Sequence, residues 1–153
     1  MISDFKMLQD FFDKPVAVKA ASPLKKGVTV NVDIIETGES FHVVKEDNMR
    51  VYKEKGENSD ATIEMTIKAV EYLINFETEN IGEYGIEILK MILESDQEKR
   101  IVVHYHVGLI KITTHGYFGV LKLGGSGIWQ YLSSHGLSNI GKIRQFLKKE
   151  TKK

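Results

Sequence analysis

Two histidines, His104 and His106, stand two positions apart in an otherwise apolar run that also holds Ile101, Val103, Tyr105 and Val107. In an extended strand that spacing puts both rings on one face. Two imidazoles so placed can hold a metal ion if a third ligand joins them. His115, His42 or a carboxylate could supply it, but none stands at a spacing that implies it. The alternative is two polar side chains on the wet face of a sheet, opposite inward Val103, Tyr105 and Val107. The second reading is favoured, so neither a metal nor another cofactor is expected.

Other residues with chemical potential are weaker still. Gly124-Gly125-Ser126-Gly127 precedes an apolar stretch that reads as a helix, and backbone N–H groups there could cradle an anion. It lacks the Gly-Lys-Ser/Thr end of a P-loop and the spacing of a dinucleotide fingerprint. A hinge with Ser126 as helix cap explains it as well. Ser133-Ser134-His135 offers a hydroxyl beside an imidazole. Sequence neighbours rarely meet in nucleophile–base geometry, and a helix end closed by Gly136 accounts for them. The chain has no cysteine, which excludes disulfides, thiolate metal sites and thiol catalysis. No catalytic residue is therefore assigned, and the chain is expected not to be an enzyme.

The 153 residues suit a single domain, 42% of them hydrophobic and 27% charged, ordinary values for a globular protein. No apolar run approaches the ~20 residues of a membrane span. The first residues, MISDFKMLQDFFDKP, carry acids where a signal peptide needs a basic start, so a cytoplasmic location is expected. The net charge is zero but unevenly spread. Residues 57–99 hold 3 basic and 11 acidic side chains, and residues 100–153 hold 9 basic and 1 acidic. Such a basic segment suits weak contact with anionic surfaces. The bland reading, favoured by the overall balance, is that the two segments pack together and their fields cancel. No nucleic-acid partner is expected.

The elements that would position these residues follow from periodicity. Phe5, Leu8, Phe11 and Phe12 recur at helical spacing, with Ser3 as cap and Pro15 as terminator. A helical turn over 16–21 follows. Val28, Val30, Val32 and Ile34 alternate with Thr29, Asn31 and Asp33, a strand with one wet face. Strands over 41–45, 49–55 and 61–66 come next, joined by turns at 37–39 and 46–48 and a loop at 56–60. Together the four read as an antiparallel meander. Thr66 caps a helix over 67–76 with Val70, Leu73 and Ile74 as its apolar stripe. Asn80 and Glu83 open a second helix that buries Ile81, Tyr84, Ile88, Leu89, Met91 and Ile92. Segments 101–107 and 109–114 read as strands, 117–123 as helix or strand, and 128–134 and 138–149 as helices. Ile140, Ile143, Phe146 and Leu147 form the apolar face of the last, and residues 148–153 read as a solvated tail.

The order of these segments resembles the sterol carrier protein type-two family. In that family meander strands precede a segment reading Asp-Ala-Thr-Ile-x-Met-Ser/Thr, matched here by Asp60-Ala61-Thr62-Ile63-Glu64-Met65-Thr66. A helix then begins at once. Gly108-Leu109-Ile110-Lys111-Ile112-Thr113-Thr114-His115-Gly116 resembles the family's Gly-Lys-Leu-Lys-Ile-x-Gly strand, and Tyr117-Phe118-Gly119-Val120-Leu121-Lys122-Leu123 its Met-Gly-x-Ala-x-Lys-Leu helix. The resemblance spans about residues 25–125. It departs at Asn75-Phe76-Glu77, where the family usually has a glycine, and at 100–107, a strand where the family often has helix. The final 28 residues are not covered.

The resemblance implies a sterol-carrier-like α+β fold, a mixed, mostly antiparallel five-stranded sheet with helices on one face. It implies an apolar tunnel between them for sterols, fatty acids or acyl chains, and no enzymatic activity in the isolated domain. Tyr117, Phe118, Trp129, Tyr131 and Phe146 are large and stand among glycines, an arrangement that suits a cavity wall as well as a core. Apolarity and position make Leu73, Ile88, Ile92, Phe118, Leu121 and Trp129 the candidate lining. Three classes of function stay open: a lipid-binding module, a regulatory or interaction domain that keeps the fold without the cavity, and a metal-dependent enzyme centred on His104 and His106.

Overall fold

In a computed structural model, residues 3–94, 98–137 and 142 are described. Two helices open the chain, α1 (Asp4–Asp13) and α2 (Pro15–Ala20). The Ser3 hydroxyl accepts from the Lys6 N–H and caps α1. Pro15 does more than stop α1. It occupies the first position of α2, where its missing N–H costs nothing.

Five strands form one sheet: β1 (Thr29–Ile34), β2 (Ser40–Lys45), β3 (Met49–Lys53), β4 (Ala61–Met65) and β5 (Ile101–Tyr105), in the order β3-β2-β1-β4-β5. The fold is α+β, and the sheet is mixed and mostly antiparallel. Only three of the four early strands make a meander. β4 runs parallel to β1, pairing Val32 with Ile63 and Ile34 with Met65. A chain leaving β3 must therefore cross the sheet before it can enter β4, and residues 54–60 do so across the face away from the helices. There the Asn31 amide donates to Ser59 Oγ at 2.8 Å and accepts from the Gly56 N–H at 2.9 Å. Asn31 and Thr62, polar positions of the expected wet face, are consequently buried.

The opposite face carries Val30, Val32 and Ile34 from β1, Phe41 and Val43 from β2, and Met65 from β4, all buried in one cluster. α1 packs over β3, and α3 (Ile67–Asn75) packs against α1. Thr66 caps α3 by accepting from the Ala69 N–H, and its hydroxyl also accepts from the Arg100 N–H, which ties the helix start to β5. α4 (Ile81–Leu93) begins at Asn80, whose side chain accepts from the Glu83 N–H. The Asn80 N–H itself goes to Thr78 Oγ1 rather than to the Glu83 side chain of a full capping box.

After β5 the chain departs from its sequence reading. Leu109–Thr114 is a helix, α5, not a strand, and Tyr117–Leu123 is a second, α6. The fifth strand is thus β5, and the segment resembling the family's lysine-rich strand is helical here. A short run such as Leu-Ile-Lys-Ile-Thr-Thr carries no periodicity that separates the two states. As a helix, α5 turns Ile112 inward. α7 (Ser126–Ser134) closes the described part. Gly125, at a positive φ, is its N-cap position, so Ser126 is the first helical residue and not the cap. The expected helix over 138–149, with Ile140, Ile143, Phe146 and Leu147, lies outside the described residues except for residue 142, and the tail lysines lie outside them too.

Candidate functional site

α4 has apolar side chains on nearly all sides. Tyr84 and Met91 are buried, whereas Ile88, Leu89 and Ile92 are only half-buried inside a helix that neighbours cover on two flanks. The cause is unfilled space. Between α4 and the sheet lies a cavity of about 390 Å³, within the size range of small-molecule sites. Its floor includes Val30, Val32, Ile63 and Val103 of the sheet. Its walls include α2, α4 and the α5–α7 segment, with Phe11 and Phe12 of α1 and Leu73 of α3. Among the described residues, the side chains that line it include no Lys, Arg, His, Asp or Glu.

Of the six candidate lining residues, Leu73, Ile88, Ile92, Phe118 and Leu121 lie on this cavity. Trp129 does not. On α7 the inward positions are Ile128 and Leu132, one turn apart, and Trp129 is rotated off that stripe to pack beside them in a satellite cluster with Leu137. Sequence reasoning did not single out Tyr105 and Ile112, which also line the cavity. Inward alternation along β5 is the signal that points to Tyr105. Glycine permits the close fit of α4 on α7: a Cβ at Gly85 would stand 2.8 Å from Ile128 Cδ1.

One end of the cavity meets a polar cluster. Asp60 precedes β4 and is 4% exposed. Its Oδ2 accepts from the Tyr117 hydroxyl at 2.9 Å and from His115 Nδ1 at 2.6 Å. The Tyr105 and Tyr117 rings meet edge to face, centroids 6.1 Å apart. Burial, with the Asp60 charge added, pushes the Tyr105 phenol up to about 12. Burial raises the Tyr117 phenol too, and the bond to Asp60 adds to it. Lys45, on the helix-facing side of β2, is buried as well, and its ammonium donates to the Ala21 carbonyl at 2.7 Å. Burial holds its pKa below the ordinary lysine value.

The histidines are dispersed. His104 Nε2 meets Glu64 at 3.2 Å, and His106 Nε2 shares a 2.7 Å hydrogen bond with Thr62 Oγ1. His42 donates to the Glu54 carbonyl and stacks on Tyr52. Among the described residues no group of three or more His, Cys, Asp or Glu is placed to hold a metal ion. Ser134 Oγ donates to the Tyr131 carbonyl at 2.6 Å, and His135 lies near Glu94, so the Ser-Ser-His run makes no nucleophile–base pair. Tyr131 donates to Glu94, away from the cavity.

No family model matches the chain, and no curated protein does. A solved structure described as a UbiJ-SCP2 ubiquinone synthesis protein is similar to it at 14% identity. That match covers 77% of this chain and 84% of that one, with a TM-score of 0.44. Among the described residues no helix is long and apolar enough to cross a membrane.

Proposed function

We propose that the protein is a non-enzymatic binding module for a lipid-like molecule such as a fatty acid, acyl chain or sterol, which it holds, and can transfer, in the cavity between sheet and helices. The cavity itself carries this reading: about 390 Å³ walled by uncharged, mostly apolar side chains. Burial supplies the affinity. Each methylene removed from water contributes about 0.8 kcal/mol, and micromolar binding needs about 8 kcal/mol beyond the cost of association. The resemblance of the segment around Asp60-Ala61-Thr62 to the sterol carrier protein type-two family agrees with it. The cysteine-free composition suits a cytoplasmic setting.

Titration with a fluorescent acyl-chain probe tests the proposal. Saturable uptake with a micromolar or lower Kd is expected. Phe118→Asp should abolish it in a protein that stays folded, because it places a carboxylate on the cavity wall. No saturable uptake of acyl-chain, acyl-CoA or sterol probes would leave a regulatory or interaction domain on the same fold.

A further inference from the structure

The cavity has one polar end, and its composition selects among lipid head groups. The chain has six tyrosines. Five of their hydroxyls donate to a named oxygen: Tyr52 to Glu46, Tyr72 to Glu87, Tyr84 to the Leu73 carbonyl, Tyr117 to Asp60 and Tyr131 to Glu94. The sixth, Tyr105, lines the cavity, and among the described residues its hydroxyl has no partner. The Tyr105 oxygen is not among the buried atoms left without a partner, so it stays reachable from the cavity and can donate to an acceptor brought by a ligand.

The charge nearby sets what that acceptor can be. Asp60 touches Tyr117, which packs edge-on to Tyr105. A carboxylate head at Tyr105 would thus face a second carboxylate. Among the described residues no cationic side chain lines the cavity, and the buried ammonium of Lys45 is engaged with the Ala21 carbonyl. His115, whose imidazole touches Asp60, is spent on that carboxylate rather than on the cavity. The geometry points to a ligand with an uncharged oxygen head, a hydroxyl or carbonyl that accepts from Tyr105, and to rejection of the fatty-acid anion by Asp60. This inference rests on the lipid-binding reading above and narrows its ligand class.

Three competitors share one saturated chain and end in a methyl group, a primary hydroxyl or a carboxylate. Each displaces a fluorescent acyl-ester probe at about pH 8, where the acid is ionised. The alcohol should bind about tenfold more tightly than the carboxylate. Tyr105→Phe should bring the alcohol down to the level of the methyl-ended chain. Asp60→Asn, which keeps an oxygen for Tyr117 and His115, should close most of the gap between alcohol and carboxylate. Should Asp60→Asn fail to fold, as judged by its thermal transition, the Tyr105→Phe comparison decides alone. A carboxylate bound as well as the alcohol overturns the inference, and loss of that binding in Lys45→Met would place the head at Lys45 instead. A methyl-ended chain bound as well as the alcohol also overturns it, while leaving the lipid-binding reading intact. Failure of the probe itself to bind removes both.

Discussion

The hydroxyl of Tyr117, on α6, donates to Oδ2 of Asp60, 57 positions earlier in the chain, at 2.9 Å. That bond reaches from the wall of the cavity to the start of β4. α6 has no buried side chain of its own, so hydrophobic packing holds it less firmly than α1, α3 or α4. Much of its attachment is polar and steric: Asp60 takes both Tyr117 and His115, the Lys25 N–H donates to the His115 carbonyl, and Gly116 sits against Pro23.

Tyr117→Phe removes one of two donors to a buried carboxylate. A hydrogen bond to a charged group contributes about 1.5–3 kcal/mol. The variant should lose stability of that order in urea-induced unfolding, with little change in m-value because the buried surface is nearly the same. A loss below about 0.5 kcal/mol would show that the bond does not hold α6 in place.

The tyrosines also set an alkaline limit. In the unfolded chain their phenols titrate near 10, while in the fold Tyr105 titrates at about 12 and Tyr117 and Tyr84 are raised by burial. Above pH ~10 the unfolded state releases protons that the folded state retains, so stability falls as pH rises. It is fully present below pH ~10 and is lost as each folded pKa is passed. Midpoints of urea unfolding should decline steadily from about pH 10 upward, and Tyr105→Phe should flatten the decline between about 10 and 12. An unchanged slope in Tyr105→Phe would contradict this.

Gly116 has φ +97°, and a Cβ there would stand 2.1 Å from the Pro23 carbonyl oxygen. Gly116→Ala therefore combines a left-handed backbone with a clash against main chain. The expected cost is about 2–4 kcal/mol, read as a lowered Tm. A variant as stable as the parent would mean that the α5–α6 corner does not rest on Pro23.

Filled and unfilled parts of the interior should respond oppositely to side-chain size. Leu8 is fully buried and does not line the cavity, and Leu8→Ala should cost about 2–5 kcal/mol. Ile88 faces the open volume. Ile88→Trp should grow into that space, change stability by no more than about 1 kcal/mol and weaken acyl-chain uptake about tenfold or more. Strong destabilisation by Ile88→Trp would argue that the cavity is not open in solution.

What the sequence determined is what depends on residues close together along the chain. Ser3, Thr66 and Asn80 cap helices because each side chain needs only an N–H three positions on. The alternation at Val28, Val30 and Val32 and at Ala61 and Ile63 marks strands because side-chain direction reverses at every residue. Five of the six candidate residues lie on the cavity, and Trp129, rotated by about 100° from Ile128 on α7, does not, a matter of helix phase. Tertiary structure alone decided the rest. The parallel pairing of β1 with β4 depends on a crossover that Asn31, Ser59 and Gly56 secure across the sheet. The helical state of Leu109–Thr114, with Ile112 turned inward, is not set by any local periodicity of that short run. The meeting of Asp60, His115 and Tyr117 spans more than fifty positions, and no local pattern encodes a contact that exists only once two distant segments share one end of a cavity.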